Sequence, residues 1–166
     1  STRVRSSAAS DVYKRQVVDA RDKLQAAKPE DKMAVFAVLM RLREICCDPR
    51  LVADNWDGGS AKLDACMELV TAAVEGGHRI LLFSQFTSML ELLAKRLDEE
   101  GISHFTLQGS TPKPVRAELV RRFNGGEVSV FLISLRAGGT GLNLTAADIV
   151  IHYDPWWNVA AQNQAT

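Results

Sequence analysis

Between residues 79 and 153 the chain changes its hydrophobic rhythm repeatedly, and that alternation constrains its fold more than any other feature. Arg79–Phe83 (RILLF) is a short apolar run, too short for a helix and suited to a strand buried on both faces. Ser88–Glu100 then places Met89, Leu90, Leu93 and Leu97 at helical spacing and ends at Gly101. Ser103–Leu107 reads as a second strand. Thr111-Pro112 reads as a cap followed by Pro at the first helical position, and Val115, Leu119 and Phe123 form that helix's predicted buried stripe, stopped by Asn124-Gly125-Gly126. Ser129–Ser134 and Asp148–Tyr153 are the third and fourth predicted strands, and Asn158–Thr166 begins a further helix. Strands alternating with helices of this length predict right-handed crossovers and a parallel α/β sheet covered on both faces.

The residues before this pattern read as helical. From Pro29 to Cys47, Val35, Phe36, Leu39, Leu42 and Ile45 recur at helical spacing, and Asp48-Pro49 ends the run. Residues 54–59 (DNWDGG) read as a loop. Ser60 is placed to cap a helix with Leu63, Met67, Val70 and Val74 on one face, closed by Gly76-Gly77. The first sixteen residues lack any period and carry four basic side chains (Arg3, Arg5, Lys14, Arg15) against Asp11; they read as a non-native or disordered leader. The expected organisation is therefore 1–16 leader, 17–59 helical linking segment and 60–166 α/β lobe, in a chain that reads as a fragment at both ends.

Charge narrows the class of partner. Lys+Arg and Asp+Glu are both 20, so the net charge is zero, and a protein that binds by bulk positive charge is excluded; any polyanion contact must be a local patch. No apolar run approaches the roughly 18 residues of a membrane span. Cys46, Cys47 and Cys66 make neither a disulfide framework nor a zinc spacing and read as small thiols in a reducing compartment.

In parallel sheets, function gathers at the loops beyond the carboxyl ends of the strands. The loop after strand three, LRAGGTGLNLTAAD, carries Gly138, Gly139 and Gly141, which suit either close approach of backbone to an anion or a tight turn needing positive φ. Arg136 at its entrance favours a phosphate. It is not a dinucleotide fingerprint, because Leu144 stands where the third glycine belongs, and no G-x-x-x-x-G-K-[ST] occurs in the chain. After strand two, Gln108-Gly109-Ser110-Thr111 leads into a helix N-terminus, which suits either a phosphate seat or simple capping by Ser110 or Thr111. Lys113, Arg116, Arg121 and Arg122 follow, as phosphate ligands or as a solvated face. Ser84-Gln85-Phe86-Thr87 ends strand one, and Asp154-Pro155-Trp156-Trp157-Asn158 follows strand four, with one Trp available to a groove or base and core packing as the plain alternative. His78, His104 and His152 are scattered without a nucleophile and read as structural; no metal spacing is present.

Taken in order, LREICCDPRLV (42–52), SAKLDACMELV (60–70), RILLFSQFTSMLELLAKRL (79–97), FTLQGSTPKPVRAELVRRFN (105–124) and VFLISLRAGGTGLNLTAADIVIHYDPWWNVAAQNQAT (130–166) resemble the C-terminal RecA-like lobe of SWI/SNF-type ATPases, within superfamily-two helicases. The resemblance implies a RecA-like parallel sheet and a partner lobe, absent from these residues, that carries the P-loop and acidic motif and holds most of the ATP and Mg²⁺. It further implies that Ser84, Gln85, Gly109, Ser110, Thr111, Ser134, Arg136, Gly138 and Trp157 face double-stranded DNA, whereas Gly139, Gly141, Asn143 and Gln164 face the nucleotide cleft. Asn158-Val159 departs from the family's usual Asn-Pro in the direction of bacterial members. Gln164 would open motif VI, whose arginines lie past Thr166, so no catalytic set is complete within the chain. The implied function is the second motor lobe of an ATP-dependent double-stranded-DNA translocase, at the nucleoid in a bacterium or in the nucleus of a eukaryote; the alternative is a passive nucleic-acid- or protein-binding module on the same fold.

Overall fold

The computed structural model describes residues 14–23, 25–26, 32–53, 55–138 and 141–154. The chain divides into two compact units, Ser1–Leu63 and Asp64–Thr166. In the first unit, residues 14–23 are helical, so 14–16 of the expected leader belong to a helix. Helix α1 is Lys32–Cys47. It buries Ile45, but Phe36, expected on the same buried face, is 52% exposed. Asp48 stops α1 by capping a short 3₁₀ turn, Pro49–Leu51: its carboxylate accepts from the Arg50 N–H at 2.9 Å and from the Arg50 guanidinium at 2.8 and 2.7 Å. Burial alone would raise the Asp48 pKa, but these bonds outweigh it and hold the carboxyl below its ordinary value.

Helix α2, Ala61–Glu75, runs across the boundary between the units. Ser60 caps it as expected, its Oγ accepting from the Leu63 N–H at 3.3 Å. Leu63, Met67 and Val70 are buried, and Gly77, at φ 81°, closes the helix.

The second unit holds the sheet: β1 Ile80–Ser84, β2 His104–Leu107, β3 Val130–Ser134 and β4 Ile149–His152, all parallel, in the order β2-β3-β1-β4. This is the expected RecA-like α/β fold. The register pairs Ser84 with Ser134 and Phe83 with both Ile133 and His152. β1 and β3 are buried along their whole length, because each has a strand on either side and a covered face above and below. Leu81, Phe83, Leu107, Phe131 and Ile133 form one face and pack with Phe123, Leu119 and Val120 of helix α4, Lys113–Asn124. Ile80, Leu82, Val130 and Leu132 alternate onto the other face, equally buried, with helix α3, Thr87–Glu99, touching the three strands β1, β2 and β3. The four expected residues of α3, Met89, Leu90, Leu93 and Leu97, are all fully buried.

Three local expectations are corrected. Val115 is 47% exposed; the stripe of α4 that reaches the core is Leu119, Val120 and Phe123, in its second half. Thr111 and Ser110 do not cap α4: Pro112 holds the cap position and Lys113 opens the helix, while Thr111 Oγ1 turns back to accept the Gln108 N–H at 3.1 Å. The stretch after β3 is not loop from its first residue, since Leu135–Gly138 continues directly as one helical turn, α5. No helix among the described residues is long and apolar enough to cross a membrane.

Two predictions follow from this packing. A Cβ on Gly138 would stand 2.9 Å from Phe83 Cε1, so Gly138→Ala should destabilise the protein by about 1–3 kcal/mol in a denaturant titration through overpacking. His152 stacks on Phe83 (centroids 5.3 Å apart, 18° between planes), and burial lowers its pKa against the opposing pull of Asp154. The unfolded chain then takes up a proton near pH 6.5 that the folded chain resists, so stability held above that pH is lost as the pH falls. Melting temperatures measured from about pH 7.5 to 5.5 should decline, and His152→Gln should flatten the decline.

Candidate functional site

Parallel strands end together, so the first polar residues after each apolar run collect at one edge. Ser84 and Gln85 follow β1, Gly109–Thr111 follow β2, Ser134 and Arg136 stand at the end of β3, and Asp154 follows β4. The register makes Ser84 and Ser134 direct neighbours. The β2 and β3 connections also meet: a Cβ on Gly109 would stand 4.0 Å from Arg136 Cβ.

Two of the sequence-predicted hydroxyls are spent inside the fold. Ser84 is fully buried; its Oγ–H donates to Asp154 Oδ1 at 2.5 Å and its oxygen accepts the Phe86 N–H at 3.2 Å. Ser134 is buried and accepts the Ala137 N–H at 3.4 Å, capping α5. Asp154 completes the arrangement by accepting the Gln85 N–H on Oδ2 at 3.1 Å, while Tyr153 N–H donates to the Phe83 carbonyl at 2.9 Å. Asp154 is 2% exposed. Sequence reasoning placed it in a loop and gave it no role, because its partners lie 69 and 70 residues away and only the β1–β4 register brings them together. A second carboxylate does the same at the opposite edge: Asp148 accepts from His78 Nδ1 at 2.6 Å and from the Arg79 N–H at 2.9 Å, and these bonds hold its pKa below the usual carboxylate range.

The basic residues divide by position. Arg121 is ion-paired with Glu118 at 2.6 Å; Arg122 is paired with Glu127 and lies 4.7 Å over the Phe105 ring. Both belong to the last turn of α4, and a solvated, internally neutralised face accounts for them. Lys113 and Arg116 sit in its first turns, with Arg116 reaching the Thr111 carbonyl at 3.5 Å. Lys113 and Arg136 are exposed and have no hydrogen-bond or ion-pair partner among the described residues. The Gln108–Thr111 turn, closed by Thr111 N–H to the Gln108 carbonyl at 3.0 Å, separates β2 from the Lys113 end of α4. Gly109 and Ser110 at its tip are exposed.

The glycine-rich stretch resolves partly into packing. Gly138 is pressed against Phe83, and Gly141 takes φ 65°, which a side chain rarely tolerates. Asn143 stands apart from the edge cluster: its carbonyl accepts from Asn124 Nδ2 at 2.9 Å, at the end of α4 opposite Lys113, and the Asn124 Oδ1 accepts from Ala146 N–H at 3.2 Å. Gly139, Trp157 and Gln164 lie outside the described residues. The edge thus offers unpaired cations, exposed turn backbone and a fixed carboxylate, a surface able to hold an anion by hydrogen bonds and charge. Among the described residues no group of three or more His, Cys, Asp and Glu side chains could hold a metal ion.

The helicase conserved C-terminal domain family matches residues 61–166. An uncharacterized ATP-dependent helicase of Mycoplasma pneumoniae is 34% identical over 87% of the chain, which spans only 14% of that relative's length. The Sulfolobus solfataricus SWI2/SNF2 ATPase C-terminal domain superposes with a TM-score of 0.80 at 28% identity, covering 93% of this chain and 70% of that one. The core of that ATPase in complex with double-stranded DNA superposes with a TM-score of 0.78 at 26% identity, covering 94% of this chain and 35% of that one. With the fold, the motif order and these likenesses in agreement, the chain belongs to the helicase conserved C-terminal domain family, as a RecA-like lobe of SWI2/SNF2 type.

Proposed function

We propose that this lobe is the second half of an ATP-dependent motor on double-stranded DNA, and that it meets the DNA backbone with the carboxyl edge of its sheet. The observation that carries the reading is Arg136: an exposed guanidinium without an ion pair among the described residues, beside the Gly109 turn, at the edge where parallel sheets bind ligands. Lys113 adds a second unpaired cation. Likeness to a SWI2/SNF2 core in complex with double-stranded DNA supports the same assignment. Phosphate contacts of this kind position a protein without reading sequence. Gly109 and Ser110 supply turn backbone to the DNA and Thr111, whose N–H closes the turn, adds its hydroxyl hydrogen, while Ser84 and Ser134, buried, hold their loops in place. Trp157 and Gln164 keep the DNA and cleft roles that the resemblance gives them.

ATP with Mg²⁺ would supply the free energy of the motor. The exposed guanidinium of Arg136 suits an anionic phosphate, and the magnesium is assigned to the partner lobe that the resemblance implies. A guanidinium in this position acts by charge and hydrogen bonding.

Fluorescence anisotropy with a labelled duplex, repeated across salt concentrations, tests the DNA reading. The chain should bind weakly and without sequence preference, with a shallow dependence of log K on log salt; Arg136→Ala should weaken binding to every duplex alike and reduce that slope by about one. Strong preference for one base sequence would count against it. A phosphate-release assay tests the division of labour. The chain alone should release no phosphate from ATP, with or without DNA, since its 166 residues contain no P-loop motif; DNA-stimulated release from clean protein would overturn this.

A further inference from the structure

We propose that Asp154 is a positioning residue for DNA engagement: its buried carboxylate, bonded to Ser84 and Gln85, sets the β1 loop in its DNA-facing geometry. This rests on the functional reading above. Asp154 belongs to the connection after β4, yet its two oxygens are committed to the connection after β1, one to the Ser84 hydroxyl at 2.5 Å and one to the Gln85 N–H at 3.1 Å. Ser84 passes the constraint on by accepting the Phe86 N–H at 3.2 Å, and Phe86 precedes the first residue of α3. One carboxylate therefore fixes three consecutive residues through charge-assisted bonds, which are stronger than neutral ones. The Gln85 carboxamide is left with its Nε2 buried and without a hydrogen-bond partner among the described residues. With no accessible surface this donor cannot itself reach a DNA phosphate, so what the Asp154 bridge presents at the edge is the backbone of the loop. Holding the Ser84–Phe86 backbone in place keeps the loop ordered before DNA arrives, so less order has to be imposed on binding.

The sign of the effect separates positioning from simple electrostatics. Asp154 is an acidic group near a proposed polyanion site, so by Coulomb's law alone its neutralisation should tighten DNA binding. Positioning requires the reverse. Asp154→Asn keeps the shape and one acceptor but removes the charge and places an NH₂ where Ser84 or Gln85 must donate.

The experiment uses the 166-residue chain, with anisotropy titrations of a labelled duplex well below the melting temperature of each variant, and with the Gln85 amide followed by NMR. Folded Asp154→Asn should bind about tenfold more weakly, the scale of one lost charge-assisted hydrogen bond, and the Gln85 amide should lose its protection from exchange. Equal or tighter binding by folded Asp154→Asn, with the wild type binding DNA, overturns the positioning role and leaves the functional reading standing. Failure of the wild-type chain to bind any duplex overturns both. Should Asp154→Asn not fold, the wild-type chain decides: a Gln85 amide that exchanges slowly and whose resonance shifts on DNA addition sustains the role, and one that exchanges like an open loop or ignores DNA removes it.

Discussion

The site depends on the complete burial of β1. Ile80–Ser84 lies between β3 and β4, with a helix-covered apolar layer on each face, so its backbone groups have sheet partners and its side chains have no water. A strand in that position cannot carry polar chemistry along its length, and the first polar groups it can present are at its end. Ser84 and Gln85 occupy that end. Because β3 is held in register with β1, Ser134 arrives at the same height, and Arg136 follows within one turn of helix. Burial of one strand thus dictates where the polar atoms of three connections gather.

β4 is the weaker part of this frame. Among the described residues it lies at the sheet edge and pairs with β1 alone, and its four residues are only half-buried. The two carboxylates that flank it, Asp148 and Asp154, each bind the matching end of β1, and so hold an edge strand in register where apolar burial is least able to do so. A slip of one residue would separate both carboxylates from their donors and turn Val150 away from the core cluster. Strand register and loop geometry at the candidate interface are in this way one constraint.

A neutral chain can present a cationic edge because its charges are not evenly spent. Glu118 and Glu127 neutralise Arg121 and Arg122 in the last turn of α4, while Lys113 and Arg136, at the other end, have no ion-pair partner among the described residues. The distribution, and not the total, makes the patch.

Much of the architecture was legible from residues close together in the chain. The alternation of apolar runs and amphipathic stretches specified four strands and the helices between them. The Ser60 cap, the Gly77 and Gly101 turns and the four buried residues of α3 all depend on partners within a few positions, where spacing alone carries the signal. The edge at which function gathers was also implied, since parallel strands must end together. The tertiary structure alone decided the order β2-β3-β1-β4, the burial of Ser84 and Ser134, the exposure of Val115 and Phe36, and which arginines remain unpaired. It alone showed Asp154 as a bridge. The reason is physical: these properties depend on which groups meet across some 70 residues of chain, and local periodicity does not encode a meeting that only the packed sheet creates.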